Sequence, residues 1–300
     1  MTFYNELPLP FVSIIIPTYH DWNRLQICLD ALKNQTYPQS CFEIIIVNNN
    51  PSDKPPTTLT MASNCKLLEE SLPGSYAARN KALAIAKGSI YAFTDSDCQP
   101  EADWLAVAVD FFKSNPQYDR IGGNIQMIIK DEIPTWPEIY EKAFAFQQSE
   151  FVKRQGMAAT GNMIAKKIVF DAIGVFDQRL MSGGDAEWGI RANNNGFRIA
   201  YVDQCIVWHP TRDKLADIIQ KTKREAGGHL QLQQRKGLLF VYLSILAGIL
   251  PPLKSGYKLL KNTELPNKEK TIAFLIRYYL RLITLWEKTL ITFGKKAERI

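Results

Sequence analysis

Residues 90–98 read IYAFTDSDC: an apolar run stops at two aspartates separated by one serine. Ile90–Phe93 has the composition of a short buried strand, and Asp95 and Asp97 follow at its carboxyl end. Two like charges this close repel each other, so the pattern predicts a counter-charge, and a hard divalent cation suits paired carboxylates. The alternative is an acidic turn that caps the helix beginning near Glu101.

Two other β-branched apolar runs, Phe11–Ile16 and Ile44–Val47, precede this strand. Helical periodicity fills the intervals and follows the third run, over residues 25–32, 75–87 and 100–113. This alternation predicts parallel β-α-β units and an α/β fold. Turn residues follow each strand, at positions 17–19, 48–53 and 95–97. Because ligands bind at the carboxyl ends of such strands, residues 10–100 are interpreted as a nucleotide-binding half.

Residues 120–228 are mixed in pattern and are interpreted as an acceptor-binding half of the same domain. A strand is predicted over 121–129, a helix over 136–151, a helix over 186–194, the end of a strand at 207–210 and a helix over 213–226. The stretch GGDAEWGIR at 183–191 stands out because two glycines directly precede an aspartate at a predicted helix start.

Residues 229–300 form a separate helical region in this interpretation. No charged residue lies between Gly237 and Leu253. Its apolar part, 238–250, would be about 20 Å long as a helix, against a hydrocarbon core of about 30 Å. The pattern therefore favours a re-entrant, interfacial or buried helix over a full membrane span.

A second tail helix, predicted over 270–295, carries five cations within one narrow stripe at about 100° per residue. These are Lys270, Arg277, Arg281, Lys288 and Lys295. The remainder is mostly apolar and aromatic, which is typical of a helix in the headgroup region of an anionic membrane. The alternative is a helix docked on its own domain or on a partner subunit, with the stripe facing solvent.

The composition excludes few classes. The chain has 300 residues, 46% of them hydrophobic, and a formal net charge of +6. The basic residues do not cluster with aromatic residues as in a nucleic-acid binder, so no nucleic-acid partner is expected. The five cysteines have no CxxC spacing and no secretory signal precedes them. We expect a cytoplasmic protein on the inner face of the cell membrane; self-association through the apolar tail stays open.

Six stretches occur in order along the chain: FVSIIIPTYHDWNRLQICLDALKNQTY from residue 11, EIIIVNNNPSD from 43, GSYAARNKALAIAKGSIYAFTDSDCQPEADWL from 74, ATGNMIAKK from 159, GGDAEWGIR from 183 and VWH from 207. Over residues 10–225 this series resembles the inverting family 2 glycosyltransferases. The resemblance implies the GT-A fold, a Rossmann-like mixed sheet flanked by helices, for residues 1–228. The helical region 229–300 follows it and is expected to associate with membranes.

The resemblance also implies roles for individual residues. The nucleotide pocket would include Pro17, Thr18 and Tyr19, the base would lie near residues 48–50, and Arg79 would lie near the donor. Asp95 would approach the ribose or metal, Asp97 and His209 would bind the metal, and Asp185 would be the general base. The chain departs from the family at Asn48 and Asn49, where aspartates are common, and uridine specificity depends on that position.

Each of these roles has a chemical reason and an alternative. A metal at Asp97 would stabilise the leaving diphosphate, but a solvated turn residue is the alternative. The Arg79 guanidinium suits phosphate geometry, but an ion pair on a helix surface would also explain it. Asp185 can take the acceptor's proton, and it can also be an N-cap.

Four residues are candidates for acceptor binding: Asn162, Gly184, Glu187 and Trp188. A small residue at Gly184 lets a sugar approach the backbone, Glu187 can hydrogen-bond it, and Trp188 can stack on it. Turn or packing roles explain Asn162, Glu187 and Trp188 equally well. His209 between Trp208 and Pro210 can likewise be a satisfied core residue.

The sequence therefore predicts a metal-dependent inverting glycosyltransferase in cell-surface polysaccharide synthesis. The expected donor is a nucleotide-diphospho-sugar, and a UDP-sugar is favoured. The expected cation is Mn²⁺ or Mg²⁺. The expected acceptor is a glycan or a lipid-linked glycan. A catalytically silent nucleotide-sugar or glycan-binding partner of a membrane assembly is the alternative. A sugar nucleotidyltransferase is disfavoured, because PTYHDWN at 17–23 replaces the glycine-rich segment of that class.

Overall fold

The computed structural model describes residues 8–234, 245, 248–263 and 265–295. Within them the strands form one eight-stranded sheet in the order β3-β2-β1-β4-β7-β6-β8-β5. The strands are β1 (Val12–Thr18), β2 (Phe42–Asn48), β3 (Cys65–Glu69), β4 (Ile90–Phe93), β5 (Gln99–Pro100), β6 (Arg120–Ile128), β7 (Met163–Lys166) and β8 (Ile199–Pro210). The fold is therefore a mixed α/β sheet, as the sequence predicts.

The sheet has a parallel part and an antiparallel part. The strand β1 is parallel to β2 and β4, and β2 is parallel to β3. The strand β7 is antiparallel to both β4 and β6, and β5 is antiparallel to β8. All residues of β1, β2 and β4 are buried. Strands covered on both faces read as continuous apolar runs rather than alternating ones, which is why these three are evident in the sequence.

The helices in the described part of the chain flank this sheet or follow it. They are α1 (Trp22–Lys33), α2 (Ser75–Leu83), α3 (Trp104–Ser114), α4 (Trp136–Phe144), α5 (Gln148–Gln155), α6 (Lys167–Ile173), α7 (Gly184–Asn194), α8 (Leu215–Gln234), α9 (Leu253–Lys261) and α10 (Asn267–Thr292). The apolar side chains of α1 that recur at helical spacing, Leu25, Cys28, Leu29 and Leu32, all pack into the main core. All five cysteines are free.

Two details differ from the prediction. Pro17 does not end β1, which continues to Thr18. The neighbouring strand β4 pairs with β1 only as far as Ile15, so one edge of β1 is open at Pro17, where a missing N–H is tolerated. The predicted helix over 136–151 is two helices, because Ala145 is extended and Phe146 has a φ of 45°.

The chain divides into two compact units. The first contains residues 8–126, Gln148–Phe176 and Asp185–Trp208, and the second contains Met127–Gln147, Asp177–Gly184 and the described residues from His209 onward. The core of the first unit lies around β1, β2 and β4. The predicted domain boundary at residue 228 stays a prediction.

In the second unit, α10 packs against α4 and α8. Its inward residues are apolar: Ala273 joins Ile139, Leu259 and Leu265 in one cluster, while Ile276 and Leu280 join Ile218 in another. The helix predicted over 238–250 lies largely outside the described residues. No helix in the described part of the chain is long and apolar enough to cross a membrane.

Several cations of the basic stripe of α10 contact their own unit, although Arg277 stays exposed; binding of the stripe to a membrane stays a prediction. Arg277 donates from Nη1 to the Tyr140 hydroxyl, 3.1 Å away, and its guanidinium lies 5.1 Å from the centre of the Phe144 ring. Arg281 donates from Nε to the carbonyl of Gly248 at 2.9 Å. Lys288 is buried, and burial lowers its pKa. These cations contact their own unit, because aromatic rings and open carbonyls there give them partners.

Candidate functional site

The helix α2 connects two carboxylates of the first unit. Tyr76 and Arg79 lie one turn apart on the same face of α2. The Tyr76 hydroxyl donates to Oδ1 of Asp185 at 3.2 Å, and Nη2 of Arg79 donates to Oδ1 of Asp95 at 2.5 Å. Asp185 of GGDAEW and Asp95 of TDSD are 90 positions apart in the sequence. Both accept hydrogen bonds from side chains one turn apart on α2.

Asp185 lies in the first turn of α7, one residue after the start of the helix at Gly184. Its Oδ1 accepts a hydrogen bond from the Ala186 N–H at 2.9 Å. Burial raises the pKa of Asp185, while the hydrogen bonds from Ala186 and Tyr76 and the charge of Arg79 act in the opposite direction. A carboxylate with a raised pKa accepts a proton more readily near neutral pH. Asp185 is thus a stabilising first-turn residue that is also suited to act as a base.

Arg79 is buried, with 3% of its surface exposed, so the alternative of an ion pair on a helix surface is wrong. Its guanidinium lies 5.7 Å from the centre of the Tyr76 ring. Among the described residues, no hydrogen-bond partner is found for its Nε, nor for the buried hydroxyls of Thr18 and Thr94. These three groups lie at or just beyond the carboxyl ends of β1 and β4 or on α2. Buried polar groups without partners are rare, and a polar ligand at this edge of the sheet would satisfy them.

The second aspartate of TDSD is held by the start of α1. Nη1 of Arg24 lies 3.7 Å from Oδ2 of Asp97, and Nε of Arg24 donates to Asp21 at 2.7 Å. The Ser96 hydroxyl donates to the other oxygen of Asp21 at 3.1 Å. Only 16% of the Asp97 side chain is exposed, so this residue is not a solvated turn residue. Arg79 and Arg24 thus offset the repulsion between the paired carboxylates.

The donor atoms of this loop fit a hard divalent cation. Carboxylate oxygens are the ligands that Mg²⁺ and Mn²⁺ prefer, and Asp95 still has one carboxylate oxygen that Arg79 does not bind. His209, the other predicted ligand, belongs to the second unit, where its Nδ1 lies 2.7 Å from the Pro210 carbonyl and its ring lies 4.7 Å from that of Phe146. The metal-binding roles of Asp97 and His209 stay predictions.

Asn48, the last residue of β2, and Asn49, which follows it, hold the backbone of the neighbouring loops. Nδ2 of Asn48 donates to the carbonyls of Asn50 and Asp53, at 2.9 and 2.8 Å. Nδ2 of Asn49 donates to the carbonyls of Glu70 and Leu72, and its Oδ1 accepts from the Gly74 N–H. Both amides therefore use their N–H donors within the protein. Their predicted contact with a nucleotide base stays a prediction.

Comparisons with known proteins show the family to which this chain belongs. The sequence model described as "Glycosyl transferase family 2" matches residues 13–174. A relative from Haloferax volcanii, "Glycosyltransferase AglE", is 32% identical over 288 residues, which cover 93% of this chain and 92% of the relative. The chain belongs to glycosyltransferase family 2. It is therefore a glycosyltransferase that acts on nucleotide sugars, and the alternative of a sugar nucleotidyltransferase is wrong.

A more distant relative and two solved structures show what else this chain is similar to. A glycosyltransferase from Methanococcus voltae, named as acting on a dolichyl N-acetyl-glucosaminyl phosphate, is 23% identical over 79% of this chain and 81% of its own. The mannosyltransferase PcManGT from Pyrobaculum calidifontis, solved with GDP-Man and Mn²⁺, has a TM-score of 0.57 at 18% identity and covers 96% of this chain and 77% of its own. TarS 1-349 from S. aureus, solved with UDP, has a TM-score of 0.53 at 16% identity, over 96% and 93%. The glycosyltransferase has the GT-A fold.

Two predicted acceptor contacts are corrected by the structure. Asn162 is fully buried, and its amide bonds Trp104 through Oδ1 and the carbonyls of Asn124 and Cys205 through Nδ2. Trp188 is fully buried and stacks on Phe170 with ring centres 4.3 Å apart. Neither side chain presents a free polar atom or an open ring face, so both are packing residues in this glycosyltransferase.

The remaining predicted residues keep open roles. Glu187 forms an ion pair with Arg191 at 3.0 Å, and the same arginine also bonds the carbonyl of Val175. Gly184 is the first residue of α7, and Tyr19 is exposed after β1. Pro17 and Thr18 are the last residues of β1. Their predicted contacts with donor or acceptor stay predictions.

Sequence reasoning missed Tyr76 and Arg24. Tyr76 lies three residues before Arg79 in SYAAR, and Arg24 lies three residues after Asp21 in HDWNR. The spacing of three marks a shared helix face, which is the only signal the sequence offers for either residue. Their partners lie far away along the chain: Tyr76 bonds a residue 109 positions later.

Proposed function

We propose that this glycosyltransferase transfers a sugar from a nucleotide-diphospho-sugar to a hydroxyl group of a glycan or a lipid-linked glycan, with inversion and with Asp185 as the general base. The observation that carries the proposal is the pair of hydrogen bonds from α2, Tyr76 to Asp185 and Arg79 to Asp95. Tyr76 and Arg79, one turn apart on α2, thereby bring a proton acceptor close to a cation suited to phosphate.

Asp185 takes the proton of the acceptor hydroxyl as that oxygen attacks the anomeric carbon of the donor. Attack from the side opposite the leaving diphosphate is a single displacement, so an α-linked donor gives a β-linked product. The raised pKa of Asp185, caused by burial, suits this role. The Tyr76 and Ala186 hydrogen bonds hold the Oδ1 atom of Asp185 and leave Oδ2 for the acceptor.

Arg79 orients the diphosphate, because its planar guanidinium presents donors that match phosphate oxygens. Its unpartnered Nε and the unpartnered Thr18 hydroxyl support a polar ligand at this edge of the sheet. Asp97 and Asp95 are the residues that would hold a divalent cation. Such a cation supplies Lewis-acid stabilisation of the leaving diphosphate when it is bound.

The donor is proposed to be a UDP-sugar, with GDP-mannose as the comparison donor, and the cation to be Mn²⁺ or Mg²⁺. Structural neighbours solved with UDP and with GDP-Man and Mn²⁺ supply these two choices. A lipid-linked acceptor is proposed because one relative is named for a dolichyl phosphate substrate. A role in the synthesis of surface polysaccharides or glycans follows from these substrates.

The first test screens nucleotide sugars for slow donor hydrolysis with Mn²⁺, with Mg²⁺ and with a chelator, read by mass spectrometry. We expect hydrolysis of one donor that requires metal and is lost in Asp97→Ala. Turnover that is unchanged by the chelator would overturn the role of Asp97. Donor binding by calorimetry with no turnover of any of these donors would overturn the proposed donor.

The second test separates the base from the donor site. Asp185→Asn keeps the size of the side chain and should retain donor binding while transfer falls about 1,000-fold, since general-base catalysis contributes about 10²–10⁴-fold. The matched control is Asp171→Asn, an exposed aspartate paired with Lys167 on α6. Normal transfer by Asp185→Asn would refute its role as the base.

A further inference from the structure

One face of α10 is apolar and exposed, on the side away from its buried residues. Leu275, Tyr279, Leu282, Trp286 and Phe293 lie within an arc of about 60° at about 100° per residue. All five are exposed, Trp286 at 64% and Phe293 at 85%. The arginines that the sequence places on the membrane side contact their own unit instead. Arg277 and Lys268 are themselves exposed, so the exposed surface of this helix combines this apolar arc with basic residues.

The helix α9 repeats this pattern. Leu253, Tyr257 and Leu260 share an arc of similar width and are all exposed. The helix packs closely on α10, since a Cβ added at Gly256 would lie 3.1 Å from the Phe274 ring. The turn before α9 is also fixed to α10, because the Tyr278 hydroxyl donates to the carbonyl of Ile249 at 3.0 Å.

We use the name apolar face for the exposed hydrophobic side chains of α9, of α10 and of the turn before them. These are Ile249, Leu250, Leu253, Tyr257, Leu260, Leu275, Tyr279, Leu282, Trp286 and Phe293. Scattered exposed apolar residues are ordinary, but a contiguous set on adjoining elements marks an interaction surface. Three of the ten are Tyr or Trp, whose rings are suited to the boundary between water and hydrocarbon.

The charges beside the apolar face are basic. Lys254, Lys258 and Lys261 belong to α9, and Lys268 lies in the first turn of α10. Residues 248–295 contain nine lysines and arginines against three glutamates. One of these glutamates, Glu287, is buried and paired with Lys295 at 2.7 Å. A surface with apolar side chains, interfacial aromatics and lysines is complementary to an anionic lipid headgroup layer.

We propose that the apolar face docks on the surface of an anionic lipid bilayer, with α9 and α10 lying along that surface. A second copy of this chain is a poorer partner, because a two-fold interface contacts the same patch on both subunits and would bring two basic surfaces together. The proposal is independent of the catalytic residues and goes beyond the proposed transfer reaction.

The test is flotation of the full chain with vesicles of phosphatidylcholine alone and of phosphatidylcholine mixed with phosphatidylglycerol. We expect binding to the mixed vesicles and a loss of at least about tenfold in the variant with Leu253→Ser, Leu260→Ser and Trp286→Ser, since each removed side chain loses apolar burial in lipid. The matched control is Ile168→Ser with Ile190→Ser, two exposed apolar residues on other helices, which should bind like the unchanged protein.

A second variant tests the charge. Lys254→Glu with Lys268→Glu should weaken binding to the mixed vesicles by more than about twentyfold, since one basic residue near the surface contributes about fivefold. Donor hydrolysis in solution should be unchanged in all these variants, which separates this proposal from the proposed function.

Three results would overturn the proposal. The first is an unchanged protein that does not float with either vesicle. The second is equal binding by the serine variant. The third is a dimer in light scattering that the serine variant abolishes in the absence of lipid, because the apolar face would then be covered by a second copy.

Discussion

Replacing Tyr76 by phenylalanine removes one hydroxyl group and leaves the ring. The hydroxyl donates to Oδ1 of Asp185 at 3.2 Å, while the ring packs against Phe176 with centres 5.6 Å apart and against the Arg79 guanidinium. The substitution therefore removes one hydrogen bond to the proposed base without opening a cavity. We expect the pKa of Asp185 to rise, because a donor that stabilises the ionised carboxylate is lost.

The size of this change follows from the geometry. A hydrogen bond to a charged group contributes about 1.5–3 kcal/mol, and one pKa unit corresponds to about 1.4 kcal/mol, so complete loss would raise the pKa by about 1–2 units. The distance of 3.2 Å is long for a hydroxyl donor, and the bond from the Ala186 N–H remains. We therefore expect a rise of about 1 unit.

The assay is kcat/KM for transfer as a function of pH. The base works only when ionised, so the acidic limb of the unchanged enzyme should lie above the ordinary aspartate value of about 3.9, because burial raises the pKa of Asp185. In Tyr76→Phe the limb should move further upward, with activity lost at a higher pH as the pH falls. The control is Tyr37→Phe, which loses a hydroxyl bonded to the Pro10 carbonyl in the same unit.

An acidic limb that stays in place in Tyr76→Phe, or that moves downward, would refute the reasoning. A lower rate at all pH values with an unchanged limb would assign Tyr76 to packing alone. An equal shift in Tyr37→Phe would show that the shift reflects a general change of the unit rather than the hydrogen bond to Asp185.

Three further predictions concern single side chains. Arg79→Lys keeps the charge but loses the planar guanidinium, so KM for the donor should rise about tenfold. The control, Arg179→Lys at an exposed position, should leave KM for the donor unchanged. Asn162→Ala removes three buried hydrogen bonds, to the Trp104 N–H and to the carbonyls of Asn124 and Cys205. This should lower the free energy of unfolding in urea by about 2–4 kcal/mol, and a loss below about 1 kcal/mol would contradict its role in packing. Glu141→Gln weakens a buried ion pair with Arg212 and should lower the free energy of unfolding in urea by about 1–3 kcal/mol; a free energy equal to that of the unchanged protein would refute this.

The sequence predicts the three fully buried parallel strands well and other strands of the sheet poorly. The strands β1, β2 and β4 are buried along their whole length, so their residues must be apolar and the pattern is unambiguous. The edge strand β3 is half-exposed and reads CKLLE, and β7 has only four residues. Both lack a period that a single sequence can reveal, because their pairing depends on neighbours far along the chain.

The candidate site was predicted by position but not by contact. Turn residues after parallel strands must meet at one edge of the sheet, which is why Asp95 and Asp97 could be chosen, whereas Asp185 was chosen from the resemblance to family 2 glycosyltransferases. The helix α2 reads SYAARNKAL, which has little amphipathic pattern and gives no sign that Arg79 is buried. Likewise the stripe of cations on α10 was evident, but the partners of Arg277 lie on α4, 137 residues earlier.

Tyr76 and Arg79 lie one turn apart on α2 and connect the proposed base to the proposed donor site. The positive charge of Arg79 helps to hold down the pKa of Asp185. In the proposed function a donor brings two phosphates to Arg79 and cancels that charge, so the pKa of Asp185 should climb only once a sugar is in place. Asp185 would then be a stronger proton acceptor when the donor is bound and a weaker one when the site is empty.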